Sequence, residues 1–283
     1  MSRIVHLNGQ FYPENEAKVS VFDRGYLFAD GVYEVTAVID GKLIDFEPHM
    51  DRLARSLREL DIPPPVTREA LRGVHEDLVA RNDLAEGRVY MQVTRGVSER
   101  DFGYPKGVSS TLLAFTQVAP VLADPKAETG VNVISVPDIR WKRRDIKSIA
   151  LLAQCMSKQR AIEAGAYEGW MHEDGHVTEG TSSTSYIVAD GRIVTRGLSN
   201  AILPGVTRLA ILRLAAERNM ALEERPFTLE EAYGAEEAFL TSASAIVLPV
   251  VDIDGRAIGS GKPGAIARRL RELYLEEARG ELA

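Results

Sequence analysis

The chain of 283 residues has one cysteine, Cys155. An internal disulfide and a cysteine-rich metal site are therefore both excluded. Its 34 Lys and Arg do not offset 41 Asp and Glu, for a net charge of -7. A general nucleic-acid binder needs the opposite balance, because neutralising phosphates takes an excess of Lys and Arg. No apolar run approaches the roughly 20 residues of a membrane span. The opening Met1-Ser2-Arg3-Ile4-Val5-His6 lacks the apolar core of a secretory leader. A cytosolic protein is the expectation. His49, His75 and His172 show no metal-ligand spacing. Asp23-Arg24-Gly25 and Ala29-Asp30-Gly31 suggest tight turns, not a nucleotide-binding fingerprint. Internal repeats and low-complexity tracts are missing too.

Present instead are 45% hydrophobic and 27% charged residues, enough for one large or two medium α+β domains. Asn8-Gly9, Asp40-Gly41 and Asp190-Gly191 each sit between strand-like runs and read as hairpin turns. The second returns through residues 42–46. Met50, Leu53, Leu57 and Leu60 recur at helical spacing from Pro48. Thr67 caps a following helix with Ala70, Leu71, Val74 and Leu78 inward. Val89, Met91 and Val93 alternate with polar residues, as in a strand with one wet face. Residues 112–115, 131–134 and 238–241 are further strands. Residues 149–164 read as a helix with Leu152, Cys155, Met156 and Gln159 on one face. Leu209, Ile211, Leu212 and Leu214 mark another helix, Thr228 and Glu231 fit a capping box, and an amphipathic helix follows Pro263. Residues 119–128, with two prolines and no periodicity, read as a linker. The expected division is 1–118, a smaller N-terminal domain; 119–128, the linker; and 129–283, a larger C-terminal domain carrying Lys147 and Glu179.

Two segments carry chemistry. Trp141-Lys142-Arg143-Arg144-Asp145-Ile146-Lys147-Ser148 ends in a lysine among cations. Thr178-Glu179-Gly180-Thr181-Ser182-Ser183 sets a carboxylate among small hydroxyl residues. An enzyme using pyridoxal 5'-phosphate needs that pair: an amine to bond the aldehyde and an anion to hold the ring nitrogen protonated. Taken singly, Lys147 is a surface lysine of a basic cluster and Glu179 a loop glutamate.

Together with Asp23-Arg24-Gly25-Tyr26-Leu27-Phe28-Ala29-Asp30-Gly31-Val32-Tyr33-Glu34-Val35, His49-Met50-Asp51-Arg52-Leu53, Gln92-Val93-Thr94-Arg95-Gly96 and Leu203-Pro204-Gly205-Val206-Thr207-Arg208, these segments resemble the fold type IV pyridoxal-phosphate aminotransferases. The D-amino-acid aminotransferases are most similar, along nearly the whole chain. The resemblance implies a two-domain α+β architecture with the cofactor between the domains, and a homodimer whose partner subunit contributes to the substrate site. It implies Lys147 as the Schiff-base lysine and Glu179 as partner of the pyridinium nitrogen. Arg52, Val206 and Thr207 match the phosphate anchors, with Ser242 adding a hydroxyl and Ala243 standing where close relatives carry a threonine. Leu203 matches a leucine packed on the ring.

For substrate, Tyr33 and Arg100 match two members of a carboxylate trap, and Ser182 and Ser183 are counted with them. Phe102 stands where that trap has a histidine, and a phenyl ring cannot donate a hydrogen bond. Asp101 is placed to compete for Arg100. Thr184 departs from the family's asparagine, which bears on support of the Glu179 loop. The implied reaction moves an amino group from a D-amino acid such as D-alanine to 2-oxoglutarate or pyruvate, through pyridoxamine phosphate. A branched-chain L-amino-acid aminotransferase, an amine transaminase and an aminodeoxychorismate lyase share the fold and stay open. A non-catalytic binder of a phosphorylated ligand is the rival from another class.

Overall fold

The computed structural model describes residues 2–280. The described residues pack as two units: 2–121 with 146–150, and 122–145 with 151–280.

The first unit contains β1 (Ile4–Leu7), β2 (Gln10–Pro13), α1 (Arg24–Phe28), β3 (Gly31–Ile39), β4 (Lys42–Leu43), α2 (Phe46–Glu59), α3 (Arg68–Arg81), β5 (Gly87–Thr94) and β6 (Thr111–Val118). Its strands form an antiparallel sheet in the order β2-β1-β6-β5-β3-β4. Leu7 pairs with Gln10 across Asn8 and Gly9, whose φ values of 50° and 88° make the two-residue hairpin turn that the sequence predicts. Successive strand residues face opposite sides. Val32, Val89, Met91, Val93, Leu112 and Ala114 therefore share a core with Met50, Leu53 and Leu57 of α2 and with Leu71 and Leu78 of α3. Burying such side chains contributes about 1.5–3 kcal/mol each.

Two local expectations differ from the structure. The return after Asp40-Gly41 lasts only two residues, because Asp45 at φ 53° turns the chain and Phe46 opens α2. Ala70, expected inward, is exposed at the N-terminal end of α3, whose cap is Thr67.

The second unit contains α4 (Pro125–Thr129), β7 (Val131–Pro137), α5 (Leu152–Glu163), β8 (Glu168–Glu173), β9 (His176–Gly180), β10 (Thr184–Ala189), β11 (Arg192–Thr195), α6 (Val206–Glu217), β12 (Leu222–Glu224), α7 (Leu229–Tyr233), β13 (Glu237–Ser242), β14 (Ile246–Ile253), β15 (Arg256–Ala257) and α8 (Ala265–Arg279). The sheet runs β12-β11-β10-β13-β14-β7-β8-β9, with β15 on β14. The pairs β11–β12, β14–β7 and β7–β8 are parallel. Parallel neighbours need a crossover, and α5 lies in the one between β7 and β8.

Residues 146–150 leave that crossover and pack with the first unit, although the sequence groups Lys147 with the C-terminal half. Ile146 joins the core of the first unit, Ile149 N donates to Gly31 O at 3.1 Å, and Val32 bridges Ser148. Within 119–128, Asp124 caps α4 through Lys126 N, so regular structure begins there. The face that the sequence groups on α5 points outward: Leu152 is 75% exposed, and Met156 and Gln159 are exposed on the same side, with Cys155. Its buried positions are Ser157 and Ala161, small residues that let the helix lie close to the sheet. Leu209 of α6 is also exposed, while Ile211 and Leu214 are enclosed. The capping box Thr228–Glu231 forms as expected. Among the described residues, no helix is long and apolar enough to cross a membrane.

Candidate active site

In the first unit the chain around Lys147 is pinned on both sides. Lys147 N donates to Ser56 Oγ of α2 at 3.3 Å, and Tyr33 N donates to Lys147 O at 3.0 Å. Close approach to β3 demands glycine at 31. A Cβ there would stand 2.6 Å from Val93 O and 3.0 Å from Ile149 Cδ1. The half-buried Lys147 Nζ lies 4.2 Å from the centroid of the Tyr33 ring. Tyr33 stacks on Tyr90, and Tyr90 on Phe115, with centroids 5.6 and 4.8 Å apart. Tyr90 sits between neighbours on β3 and β6, and burial pushes its phenol up.

Strand alternation sends Glu34 to the opposite face from Tyr33, toward α2. There it meets Arg52 and His49, which donates from Nδ1 at 2.8 Å in the matching tautomer. The helical position of Arg52 suggests a wet arginine; its residue is only 9% exposed. Burial pushes the Glu34 carboxyl up, but the Arg52 charge and hydrogen bonds from Arg52 and His49 outweigh it, holding it at about 2. Burial lowers His49 and takes His75 to about 4; the His75 and Phe46 rings meet nearly at right angles, centroids 5.2 Å apart.

Residues 98–104 carry Arg100 and Phe102. Both are exposed, Phe102 by 80%. The Arg100 guanidinium lies 5.2 Å from the Phe28 ring and 5.6 Å from that of Phe102. Asp101, expected to compete for Arg100, instead accepts from Gly103 N at 2.7 Å. An Asx turn of this kind occupies the carboxylate locally.

In the second unit Glu179 is buried at the end of β9. It accepts from Arg140 Nη1 and from Leu203 N, the latter at 3.1 Å to Oε2. Asp138 orients Arg140, taking Nε at 3.0 Å and Nη2 at 2.7 Å, and also accepts Thr178 Oγ1 at 2.6 Å. Burial raises the Glu179 carboxyl, while the Arg140 charge pulls the other way. Burial likewise opposes ionised Asp138, yet its hydrogen bonds to Arg140 and the Arg140 charge lower it overall. Sequence reading missed Asp138 and Arg140; the one signal was their lying at the end of a strand just before the lysine segment.

Ser182 and Ser183, counted with the substrate site, direct their hydroxyls onto Glu168. Ser182 and Thr181 reach Oε2 at 3.3 Å each, and Ser183 makes a short bond to Oε1. Glu168 is fully buried on β8, and burial raises its carboxyl. Nothing local in the sequence marks Glu168, because it faces its partners only across the β8–β9 pair.

Gly205 precedes α6 and offers no side-chain cap. The first-turn amides of Val206 and Thr207 are thus unmet by a cap, and a helix start favours an anion. Thr207 Oγ1 is buried and has no hydrogen-bond partner among the described residues. That orphaned hydroxyl beside free-ended amides fits a phosphate group. Thr184 Oγ1 would lie 2.9 Å from a Cβ at Gly205. Thr184 thus packs against the start of α6, in addition to ending the Glu179 turn. Ser242 Oγ lies 3.3 Å from Ser244 Oγ and caps Ala245 N at 3.2 Å, with Ala243 half-buried between them. A carboxylate has about four acceptor positions, so Glu179 retains capacity for a ring N–H. The donors and acceptors of this unit fit pyridoxal phosphate. Among the described residues, no cluster of His, Cys, Asp and Glu is arranged to hold a metal.

Comparison with known proteins agrees with this chemistry. D-alanine aminotransferase of Staphylococcus aureus (strain N315) is 40% identical over 269 residues, 95% of each chain. That of Bacillus licheniformis is 39% identical over 268 residues, 94% of each. A solved branched-chain amino acid aminotransferase of T.th., bound to pyridoxamine 5'-phosphate, superposes with a TM-score of 0.91 at 25% identity, covering 99% of this chain and 95% of that one. The model of the amino-transferase class IV family matches residues 31–253. With an amine, a buried carboxylate and an anion-ready helix start already in view, the chain belongs to the class IV aminotransferases, which work with pyridoxal phosphate.

Proposed function

We propose that the chain moves amino groups from D-amino acids, D-alanine among them, to 2-oxo acids such as 2-oxoglutarate or pyruvate, acting as a homodimer in the cytoplasm. The observation that carries the substrate class is the likeness to D-alanine aminotransferases along 95% of the chain. When bound, pyridoxal phosphate supplies an aldehyde for amines and a ring that stores the electrons released at the substrate α-carbon.

This chain's residues do the rest. Lys147 Nζ is the amine that would hold the cofactor through its aldehyde, and, when free, the base that would carry the substrate α-proton. Its main chain, fixed by Ser56 and Tyr33, limits where the amine can swing. Glu179 is the carboxylate that would face the ring nitrogen; burial raises it, and the Arg140 charge and hydrogen bond act in the opposite direction, toward the anion. In the second unit the Val206 and Thr207 amides, the Thr207 hydroxyl and Ser242 at the Ala243 turn would hold the phosphate; in the first unit Arg52 is the guanidinium assigned to the same group. Leu203 would pack on the ring, and its N–H steadies Glu179. Tyr33 and Arg100 bind the substrate carboxylate, Arg100 across the dimer. Ser182 and Ser183 act one step back, tying the turn after Glu179 to Glu168. The exposed apolar residues Leu152, Met156 and Ile162 on α5 support a subunit interface.

Donor profiling tests the reading. With purified protein and 2-oxoglutarate, kcat/KM for D-alanine should exceed that for L-leucine and for (R)-1-phenylethylamine by about tenfold or more, a difference of roughly 1.4 kcal/mol. A preference for L-leucine would replace the reading with the branched-chain one; preference for the amine would assign an amine transaminase. Borohydride reduction should bleach the yellow cofactor and leave it on Lys147.

A further inference from the structure

Asp30 is shared by two buried arginines. Arg24 Nε donates to Asp30 Oδ2 at 2.8 Å; Arg95 donates from Nε to Oδ2 at 2.7 Å and from Nη2 to Oδ1 at 3.1 Å. The side chains are 3%, 4% and 10% exposed for Arg24, Arg95 and Asp30. Each arginine then extends past the pair. Arg24 Nη1 donates to Asp101 O at 2.6 Å and to Gly103 O at 3.3 Å. Arg95 lies 3.5 Å from the Tyr104 ring and donates to Leu60 O and Asp61 O at the end of α2. Arg24 is also 4.6 Å from the Phe28 ring, against which Arg100 leans. The loop is therefore hung at 101, 103 and 104 from one buried carboxylate. Its own chain offers little else: residues 98–104 belong to no strand, and Arg100 itself stays exposed.

We infer that Asp30, acting through Arg24 and Arg95, is a positioning residue that holds residues 98–104 so that Arg100 is placed for the substrate carboxylate. This rests on the assignment of Arg100 made above. The physical reason is entropy. A loop without secondary structure loses several residues' freedom when a ligand orders it. A loop ordered in advance spares that loss and binds more tightly. A guanidinium suits the task because its planar fork serves a carboxylate and carbonyls together.

The test combines kinetics with hydrogen exchange on the cofactor-loaded enzyme. Arg24→Gln should raise KM for D-alanine about 5- to 20-fold and speed amide exchange across residues 98–104, with cofactor absorbance unchanged. Tyr104→Ala removes an exposed pin and spares the buried pair, so it serves if Arg24→Gln fails to fold; the same direction is expected, with a smaller rise. In an Arg100→Ala background either replacement should add less than about twofold to KM, since positioning acts only through Arg100. Full additivity in that background overturns the inference, as does unchanged loop exchange. Unchanged KM in Arg100→Ala alone overturns the inference and the Arg100 assignment together, while transamination stands. Failure of the wild type to use D-alanine would instead remove the proposed function.

Discussion

Glu34 and Arg52 meet at two points inside the first unit, Nε to Oε1 at 2.8 Å and Nη2 to Oε2 at 2.7 Å, with Glu34 fully enclosed. The pair fixes the plane of the guanidinium proposed to bind phosphate. It also makes the stability of the unit depend on charge.

Glu34→Gln should destabilise the protein by about 3–5 kcal/mol, because it removes the buried carboxylate charge that faces the Arg52 guanidinium. The native carboxyl sits at about 2, below the ordinary value of 4.5. Its stabilisation is therefore complete above about pH 4.5 and lost as pH falls toward 2. Thermal melts of both proteins at about pH 3 and pH 7 should differ less at the acid value. An equal gap at both would remove Glu34 as the source.

Glu168 behaves in the opposite sense. Burial raises its carboxyl, so the folded state holds the proton more tightly than the unfolded one. Stability is then present at low pH and declines as pH rises from the unfolded value through the folded one. Glu168→Gln should flatten that decline. Glu168→Ala should cost about 1–3 kcal/mol by stranding the hydroxyls of Thr181, Ser182 and Ser183. Melting temperatures of the two variants at about pH 5 and pH 8 check both statements.

Lys147→Ala should lower steady turnover of D-alanine by about a thousandfold or more, the scale of losing both the covalent anchor and the proton carrier. The rate under saturating cofactor measures this. Wild-type turnover in the variant would dismiss the assignment.

Thr207→Val keeps the size of the side chain and deletes its hydroxyl. A hydrogen bond to a charged group contributes about 1.5–3 kcal/mol, so the cofactor dissociation constant should rise roughly 10- to 100-fold. Equilibrium dialysis reads it directly. Affinity equal to wild type would mean the orphaned hydroxyl of the α6 start does not meet the phosphate.

Much of the fold was legible locally. Asn8-Gly9 and Asp190-Gly191 announced their hairpins because left-handed backbone has few sequence solutions, and Val89, Met91 and Val93 announced a one-sided strand by alternation. Two further turns, Asp174-Gly175 and Asp254-Gly255, have the same signature at φ 51° and 75° and at 55° and 77°, and went unread. β14 went unread as well: Ile246, Val247, Leu248 and Val250 are all buried, and a strand enclosed on both faces shows no alternation. The direction of the α5 face was not legible, because an apolar helix stripe shows that something is covered, not whether its own unit covers it.

The linear chain determined the class of chemistry, since an amine at 147, an acid at 179 and a glycine-led helix start at 206 stand in recognisable local settings. Only the folded structure decided which groups surround them. Arg140 and Asp138 behind Glu179, Glu168 beneath Ser182 and Ser183, and Asp30 between Arg24 and Arg95 are partners brought together across strands, separated by up to 65 positions. Hydrogen bonds of that kind depend on sheet register and on burial, which belong to the packed chain and not to any short stretch of it.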